Sequence, residues 1–303
     1  MSGSKGGQRP VAIVGGALED RIDTPVLAQR LRERGLAVET VSWHDLSVDW
    51  GAYELVLLRS CWDYIDDVDG FVAWARHVAG EADLLNPAEL VAWNVDKGYL
   101  LELADEGVPV VPTVRIEPGA RARLDRLMEK WREIVIKPSV GAGSWMVARY
   151  TPAALERAAA HVENLHSQSH TVLVQPCLES VFQRGESGVY VIDGRATYMI
   201  SKSGVLARDA GPYDDFQLSF AQQVALRPLD NLLSSLAEEA VDRLPGRTPL
   251  YARVDLVSGS DNPVLLEVEL IEPVLFLDRA PEAVADHLAE AVVRRMTELP
   301  GHV

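Results

Sequence analysis

The order of apolar runs in the first sixty residues constrains this chain more than any other feature. Residues 10–16 (PVAIVGG) form a short apolar run closed by glycines, the pattern of a strand buried on both faces. A polar, loop-like stretch covers 17–24. Residues 25–34 then carry apolar side chains at helical spacing, with Gly35 as the stop. Residues 36–43 alternate like a strand, and 53–59 (YELVLLR) read as another buried strand. This order predicts an α/β fold with an open, mostly parallel sheet. Such a sheet binds ligands beyond the carboxyl ends of its strands. Arg59-Ser60-Cys61-Trp62-Asp63-Tyr64 stands at that edge, and 71–79 return as a helix.

A second unit begins near residue 92. Residues 96–106 read as a helix stopped by Gly107, 108–114 as an extended segment interrupted by prolines, and 124–133 as a helix. Residues 133–137 (EIVIK) form a strand running into Pro138 and a loop of small residues. Further on, 145–150 is a strand, 153–165 a helix and 171–175 a strand. The last stretch is richer in strands. Residues 187–192 and 195–202 make a hairpin around Asp193-Gly194. Residues 207–219 are a long polar loop and 229–242 an amphipathic helix, while 250–257 and 264–270 are strands about the turn 258–263. Residues 283–299 form a terminal helix, and 1–9 a disordered lead-in. A chain of 303 residues allows two domains, or one large one with lobes.

Charge narrows the partners. The 29 Lys and Arg face 45 Asp and Glu, a net charge of −16. So acidic a surface repels phosphate backbones and anionic membranes, so neither nucleic acid nor a membrane is an expected partner. A polyanion would need a local basic pocket. No apolar run approaches the length that spans a bilayer. Two distant cysteines, Cys61 and Cys177, give no disulfide framework, and the N-terminus lacks the apolar core of a signal peptide. A cytoplasmic location is therefore expected. Only five of the basic residues are lysines: Lys5, Lys97, Lys130, Lys137 and Lys202. Codon bias explains the scarcity but not the placement.

Three groups of residues carry chemistry. Arg253, Asp255, Glu267 and Glu269 lie on two strands joined by a short turn. Residues two apart in a strand share a face, so a hairpin would gather three carboxylates and a guanidinium. Three packed carboxylates repel one another, and a divalent cation such as Mg²⁺ or Mn²⁺, shared with phosphates, would resolve this. The plain alternative is a solvated polar face on an edge hairpin. Lys137 ends a strand before Ser139, Gly141, Ala142, Gly143 and Ser144, where backbone N–H groups and an ammonium suit a phosphate; a mobile surface hairpin would look the same. Gln175, Pro176, Cys177 and Leu178 could present backbone groups to an adenine edge, with Glu186 suited to ribose hydroxyls. An ordinary buried strand and a loop acid compete with that reading.

Together these features resemble the ATP-grasp superfamily in its glutathione-synthetase-like form, from Pro10 to the last helix. The series is Lys97, Lys137-Pro138, Gln175-Pro176-Cys177-Leu178, Gly185-Glu186, Arg253-Val254-Asp255 and Glu267-Val268-Glu269. The resemblance implies a Rossmann-like N-terminal domain over 1–92, then two ATP-grasp lobes over 93–175 and 176–303. It further implies that Lys97 and Lys137 hold ATP phosphates, that 175–178 lie along adenine, and that Glu186 takes the ribose. Asp255, Glu267 and Glu269 would bind Mg²⁺, and Arg253 would stabilise the transferring phosphoryl group or the tetrahedral intermediate. The chain departs from the family pattern in Glu269, which stands where Asn is usual, and in Ser187-Gly188, where glutathione synthetases carry Arg. Arg208 would serve for the usual loop arginine.

The phrases Arg59-Ser60-Cys61-Trp62-Asp63-Tyr64 and Leu270-Ile271-Glu272-Pro273 are similar to a subgroup that includes the cyclo-ligase forming D-cycloserine from O-ureido-D-serine. The expected reaction is ATP-dependent carbon–nitrogen ligation through an acylphosphate on a small amino-acid-like carboxylate, with intramolecular ring closure as the sharper form. Arg59, Ser60, Asp63, Tyr64, Lys202 and Glu272 are the candidate substrate residues, with Arg59 or Arg253 on the carboxylate and Asp63 or Glu272 on an amino group. A two-substrate ligase, a carboxylate kinase and a non-catalytic ATP sensor remain alternatives. Cys61 reads as a small, partly buried residue of a substrate loop, and monomer and homo-oligomer stay open.

Overall fold

A computed structural model describes residues 9–203, 206–212, 224–258 and 262–298. Residues 1–8 of the expected lead-in, part of the 207–219 loop, the tip of the 258–263 turn and the end of the terminal helix lie outside the described residues.

Three sheets organise the chain. The first contains β1 (Val11–Gly15), β2 (Val38–Ser42), β3 (Leu55–Ser60) and β4 (Asp83–Leu85) in the order β2-β1-β3-β4, all parallel. Its central strands β1 and β3 are buried on both faces, hence their near-continuous apolar sequence. Helices α1 (Asp23–Glu33) and α2 (Val68–Glu81) pack on it. Helix α1 begins inside the stretch expected to be loop, because the Asp20 carboxylate accepts the N–H groups of Ile22, Asp23 and Thr24. Helix α3 (Ala88–Asn94) has no counterpart in the sequence reading, and the helix expected over 96–106 is α4 (Tyr99–Asp105).

The second sheet is antiparallel: β5 (Val114–Ile116), β6 (Ile134–Pro138), β7 (Ala148–Tyr150) and β8 (Val172–Pro176), ordered β5-β8-β6-β7. Helices α5 (Leu124–Trp131) and α6 (Leu155–Ser167) back it, with Ile134, Ile136, Val172 and Val174 in the core between. The two-residue period of a strand turns Val135 and Lys137 to the opposite face. A short helix, α7 (Ser180–Arg184), leads into the third sheet. That sheet is antiparallel and contains β9 (Glu186–Ile192), β10 (Arg195–Lys202), β11 (Val224–Arg227), β12 (Tyr251–Ser258) and β13 (Pro263–Glu269), ordered β11-β10-β9-β12-β13.

Helix α8 (Asn231–Asp242) covers one face of the third sheet, packing Leu236 and Ala240 with Val254 and Leu256. Helix α9 (Glu282–Thr297) runs back to the first sheet and lies beside α1, where Arg34 meets Asp286 at 3.0 Å. Leu288 and Val292 therefore share a core with Val11 and Leu27. Side chains occupy the outer edge of β13. Tyr99 and Asn94 bond the backbone at Val268, and Asn94 and Asn86 that at Leu270. This edge fixes the strand that carries Glu267 and Glu269. No helix among the described residues is long and apolar enough to cross a membrane.

Candidate active site

The second and third sheets face each other across a cleft of about 1400 Å³, counting its open mouth. Lys137 and Val135 reach it from β6, Gln175 from β8, and Arg253, Asp255 and Val257 from β12. On β13 an irregularity decides what faces inward. Asp255 lies opposite Glu267, yet the next residue, Leu256, lies opposite Leu265. Leu266 is thus an extra residue, a bulge that reverses the pleat. Leu265 and Val268 stay in the core, while Leu266, Glu267 and Glu269 line the cleft.

Two glycines make room for this arrangement. Gly188 pairs with Asp255 in register, and a Cβ there would stand 3.1 Å from Asp255 Oδ1 and 3.3 Å from Arg253 Cδ. That contact explains a glycine inside a strand. Gly185 has φ +77°, and a Cβ on it would come within 2.3 Å of the Lys202 carbonyl oxygen.

Four buried cations interleave with five carboxylates. Arg253 grips Asp255 through both nitrogens at 2.9 Å and also reaches Glu269. Lys202 Nζ lies 2.6 Å from Asp255 Oδ2 and 3.1 Å from Glu186 Oε2. Lys97 Nζ lies 3.2 Å from Glu267 Oε1 and donates to the Gly141 carbonyl, tying the small-residue loop to the carboxylates. Lys137 is 7% exposed, and among the described residues its ammonium has no hydrogen bond or ion pair. The carboxylate of Glu272, also in the cleft, likewise has none among them.

The titration of these groups follows from burial and excess negative charge. Burial pushes Asp255 up, but Arg253 and Lys202 outweigh it and hold the carboxyl down to about 2. Burial also opposes ionisation of Glu267, and Lys97 and Lys137 keep it below its ordinary value. For Glu269 burial prevails over the pull of Arg253, pushing it up to about 7. Burial, aided by the charge of Glu269, pushes Glu272 up to about 8. Burial lowers Lys137 despite the attraction of Glu267.

Most of the expected nucleotide and metal residues line this one cleft: Lys97, Lys137, Gly141, Ala142, Gly143, Ser144, Gln175, Pro176, Cys177, Leu178, Glu186, Arg253, Asp255, Glu267 and Glu269. The three carboxylates and the guanidinium gather in the cleft as expected, with Arg253 bonded to both Asp255 and Glu269. Among the described residues no three Asp, Glu, His or Cys side chains form a metal-holding group on their own. The donor set still suits a divalent cation shared with phosphate oxygens and water, because carboxylates outnumber cations. Ser139 is buried beneath the loop, donating to Asp96.

Other expectations move further. Arg59, expected on the substrate carboxylate, lies outside the cleft lining. It is 1% exposed and donates to Asp23 and the Pro273 carbonyl, because its strand is buried to its last residue. Ser60 is buried and donates to Asp20. Tyr64 belongs to the core beside Phe71. Asp63 lies outside the cleft lining, at the β1 and β2 ends, accepting from Ala17 N–H and Trp43 Nε1 and paired with His44. Cys61 is fully buried, and burial holds its thiol well above the ordinary value. Arg208 is largely exposed and pairs with Glu133 at 2.9 Å, so it bridges strand flanks rather than lining the cleft. Of the substrate candidates, Lys202 and Glu272 line the cleft. The sequence reading omitted Leu266, Phe182 and Trp62 from the site. The alternation of Ile134 and Ile136 against Val135 and Lys137 was the available signal for the apolar wall.

The cycloserine biosynthesis protein DcsG of Streptomyces lavendulae is 36% identical to this chain over 285 residues, covering 90% of this chain and 94% of that protein. The chain belongs to the DcsG family. The family model for D-cycloserine synthetase DcsG, N-terminal domain, matches residues 11–86. The crystal structure of D-cycloserine synthetase DcsG superposes with a TM-score of 0.85 at 34% identity, covering 94% of this chain and 99% of that one. D-alanine–D-alanine ligase from Bacillus anthracis complexed with ATP shares the fold, with a TM-score of 0.68 at 15% identity over 95% of this chain and 97% of that one. The fold is ATP-grasp, and this member of the DcsG family is an ATP-dependent ligase.

Proposed function

We propose that the enzyme closes a ring on one small amino-acid-like substrate, O-ureido-D-serine, to give D-cycloserine. A substrate carboxylate oxygen attacks the γ-phosphorus of ATP and ADP leaves. The substrate nitrogen then attacks the acylphosphate carbon, loses its proton, and phosphate departs; water cleaves the bond between that nitrogen and the carbamoyl carbon, leaving N–H on the ring and releasing carbamic acid, which breaks down to CO₂ and ammonia. In this reading the lobes of the clamp run over 93–175 and 176–303, behind a substrate-binding unit over 1–92. The observation that carries the proposal is Lys137: a buried ammonium without a described partner, facing a cleft, calls for an anionic ligand.

Adenine would lie along 175–178 against Val135 and Leu266, with Glu186 on the ribose. Lys97, Lys137 and the loop from Gly141 to Ser144 would hold phosphates. Asp255, Glu267 and Glu269 would hold Mg²⁺ or Mn²⁺, which when bound supplies Lewis-acid neutralisation of phosphate charge. Arg253 would face the developing charge, and Glu272 the substrate ammonium. The protein contributes positioning and charge complementarity, the terms that dominate phosphoryl transfer. The test is ADP release from O-ureido-D-serine with no other substrate added. Release only after a separate amine is supplied would make the enzyme a two-substrate ligase. ATP binding without turnover would make it a sensor.

A further inference from the structure

The segment after β13 has no regular secondary structure, yet its carbonyls are bonded one after another by side chains. Asn86 donates to Leu270, Trp62 to Glu272, Arg59 to Pro273, Tyr190 to Val274 and Tyr198 to Leu275. Asp23 accepts the N–H groups of Leu275 at 2.6 Å and Leu277 at 2.8 Å, and also Arg59 Nη2 at 3.0 Å. The grip comes from two sides. Asp23, Arg59 and Trp62 belong to the N-terminal unit, and the stacked pair Tyr190 and Tyr198 belongs to the third sheet. The first residue of the strap, Glu272, lines the cleft. Pro273 restricts the backbone of Glu272 to extended conformations. What remains to be fixed is where that backbone stands, and its flanking bonds fix it.

We infer that Asp23 and Arg59 are positioning residues: through the strap 272–277 they set the place of the Glu272 carboxylate, and so the selectivity for a substrate bearing an ammonium group. This rests on the proposed role of Glu272. The guanidinium joins an acceptor on α1 to a carbonyl one residue from Glu272, and its face lies over the Tyr251 ring at 5.0 Å. Both bonds leave from Nη2, so what Arg59→Lys loses is the reach of the guanidinium and its planar face over Tyr251, and the shorter ammonium stem does not bring a donor to the same point between Asp23 and the Pro273 carbonyl. Asp23→Asn keeps the shape but presents an NH₂ where a carboxylate oxygen accepts.

The experiment compares kcat/KM, by ADP release at saturating ATP, for O-ureido-D-serine and for its des-amino analogue 3-(ureidooxy)propanoate. Glu272→Gln should reduce the preference for the amino substrate by about tenfold or more. Asp23→Asn and Arg59→Lys should do the same while KM for ATP stays within about twofold. A purely structural role would leave the preference intact, or move both substrates and ATP together. If Glu272→Gln keeps the wild-type preference, the ammonium role of Glu272 falls, and this inference with it. If Glu272→Gln loses the preference while folded Asp23→Asn and Arg59→Lys keep it, only the positioning role is overturned. Should those variants fail to fold, the double variant Tyr190→Phe, Tyr198→Phe removes two hydroxyl donors from the same carbonyl row. It should show the same loss, and retention of the preference would again overturn the inference.

Discussion

Replacing Lys137 with methionine should separate binding from stability. The two side chains have similar reach, and Lys137 is 7% exposed with no described partner for its ammonium. Burial lowers the lysine against the attraction of Glu267, with Lys97 adding to the burden. Removing this charge relieves a desolvation cost, so the nucleotide-free protein should lose no stability and gain up to about 1 kcal/mol. ATP should bind more weakly, because a charge-assisted bond contributes about 1.5–3 kcal/mol, or roughly a 10- to 150-fold change in Kd. Lys202 supplies the contrast. Its ammonium sits 2.6 Å from Asp255 and 3.1 Å from Glu186, so Lys202→Met leaves buried carboxylates undercompensated and should cost about 3–5 kcal/mol. Urea denaturation without nucleotide and calorimetric titration of ATP with excess Mg²⁺ measure the two quantities. Lys137→Met binding ATP within about threefold of wild type, or losing as much stability as Lys202→Met, would refute the reasoning.

Asn86 is fully buried and bonds four backbone groups, so Asn86→Ala should lower unfolding free energy by about 4 kcal/mol or more, read by urea denaturation; a loss below about 1 kcal/mol would contradict this. Burial pushes Asp20 up, but the Arg59 charge and hydrogen bonds from Asp23, Ser60 and Ile22 hold it below its ordinary 3.8. Its contribution is therefore present above about pH 4 and lost as pH falls through the folded value. Asp20→Asn should cost about 0.5–2 kcal/mol at pH 7 and less in acid, whereas a cost that grows toward low pH would reverse the sign. Glu267→Gln should abolish turnover and leave the fold intact by circular dichroism, and chelator should stop the wild-type enzyme; full activity in excess chelator would exclude the proposed metal role.

How much of this was legible in the sequence depends on the range of each contact. Strands β1, β3, β12 and β13 follow from local apolar patterns, and the Asp193-Gly194 turn fixes the hairpin of β9 and β10. The alternation Arg253, Asp255 and Glu267, Glu269 correctly placed four polar side chains in one cleft. Arg59 shows where local reading stops. A charged residue at a strand end looks like a ligand contact, but its partner Asp23 is 36 residues away, at the start of a helix whose first residues composition made look like a loop. The Leu266 bulge is equally silent, since only pairing with β12 reveals which residue is extra. Arg208 was separated from the cleft by its distant partner, Glu133. The strap over 272–277 carries no periodicity, because its bonds come from side chains spread between Asp23 and Tyr198.

Oxygen tracing tests the chemistry most directly. O-ureido-D-serine labelled with ¹⁸O in its carboxylate would be incubated with the enzyme, ATP and Mg²⁺, and the released phosphate analysed by mass spectrometry. An acylphosphate requires a carboxylate oxygen to leave with the phosphate, so the account predicts one labelled oxygen in each phosphate, formed together with ADP and the cyclic product. Unlabelled phosphate accompanying the cyclic product would contradict carboxylate activation, and no ADP formation from this compound would contradict the proposed substrate.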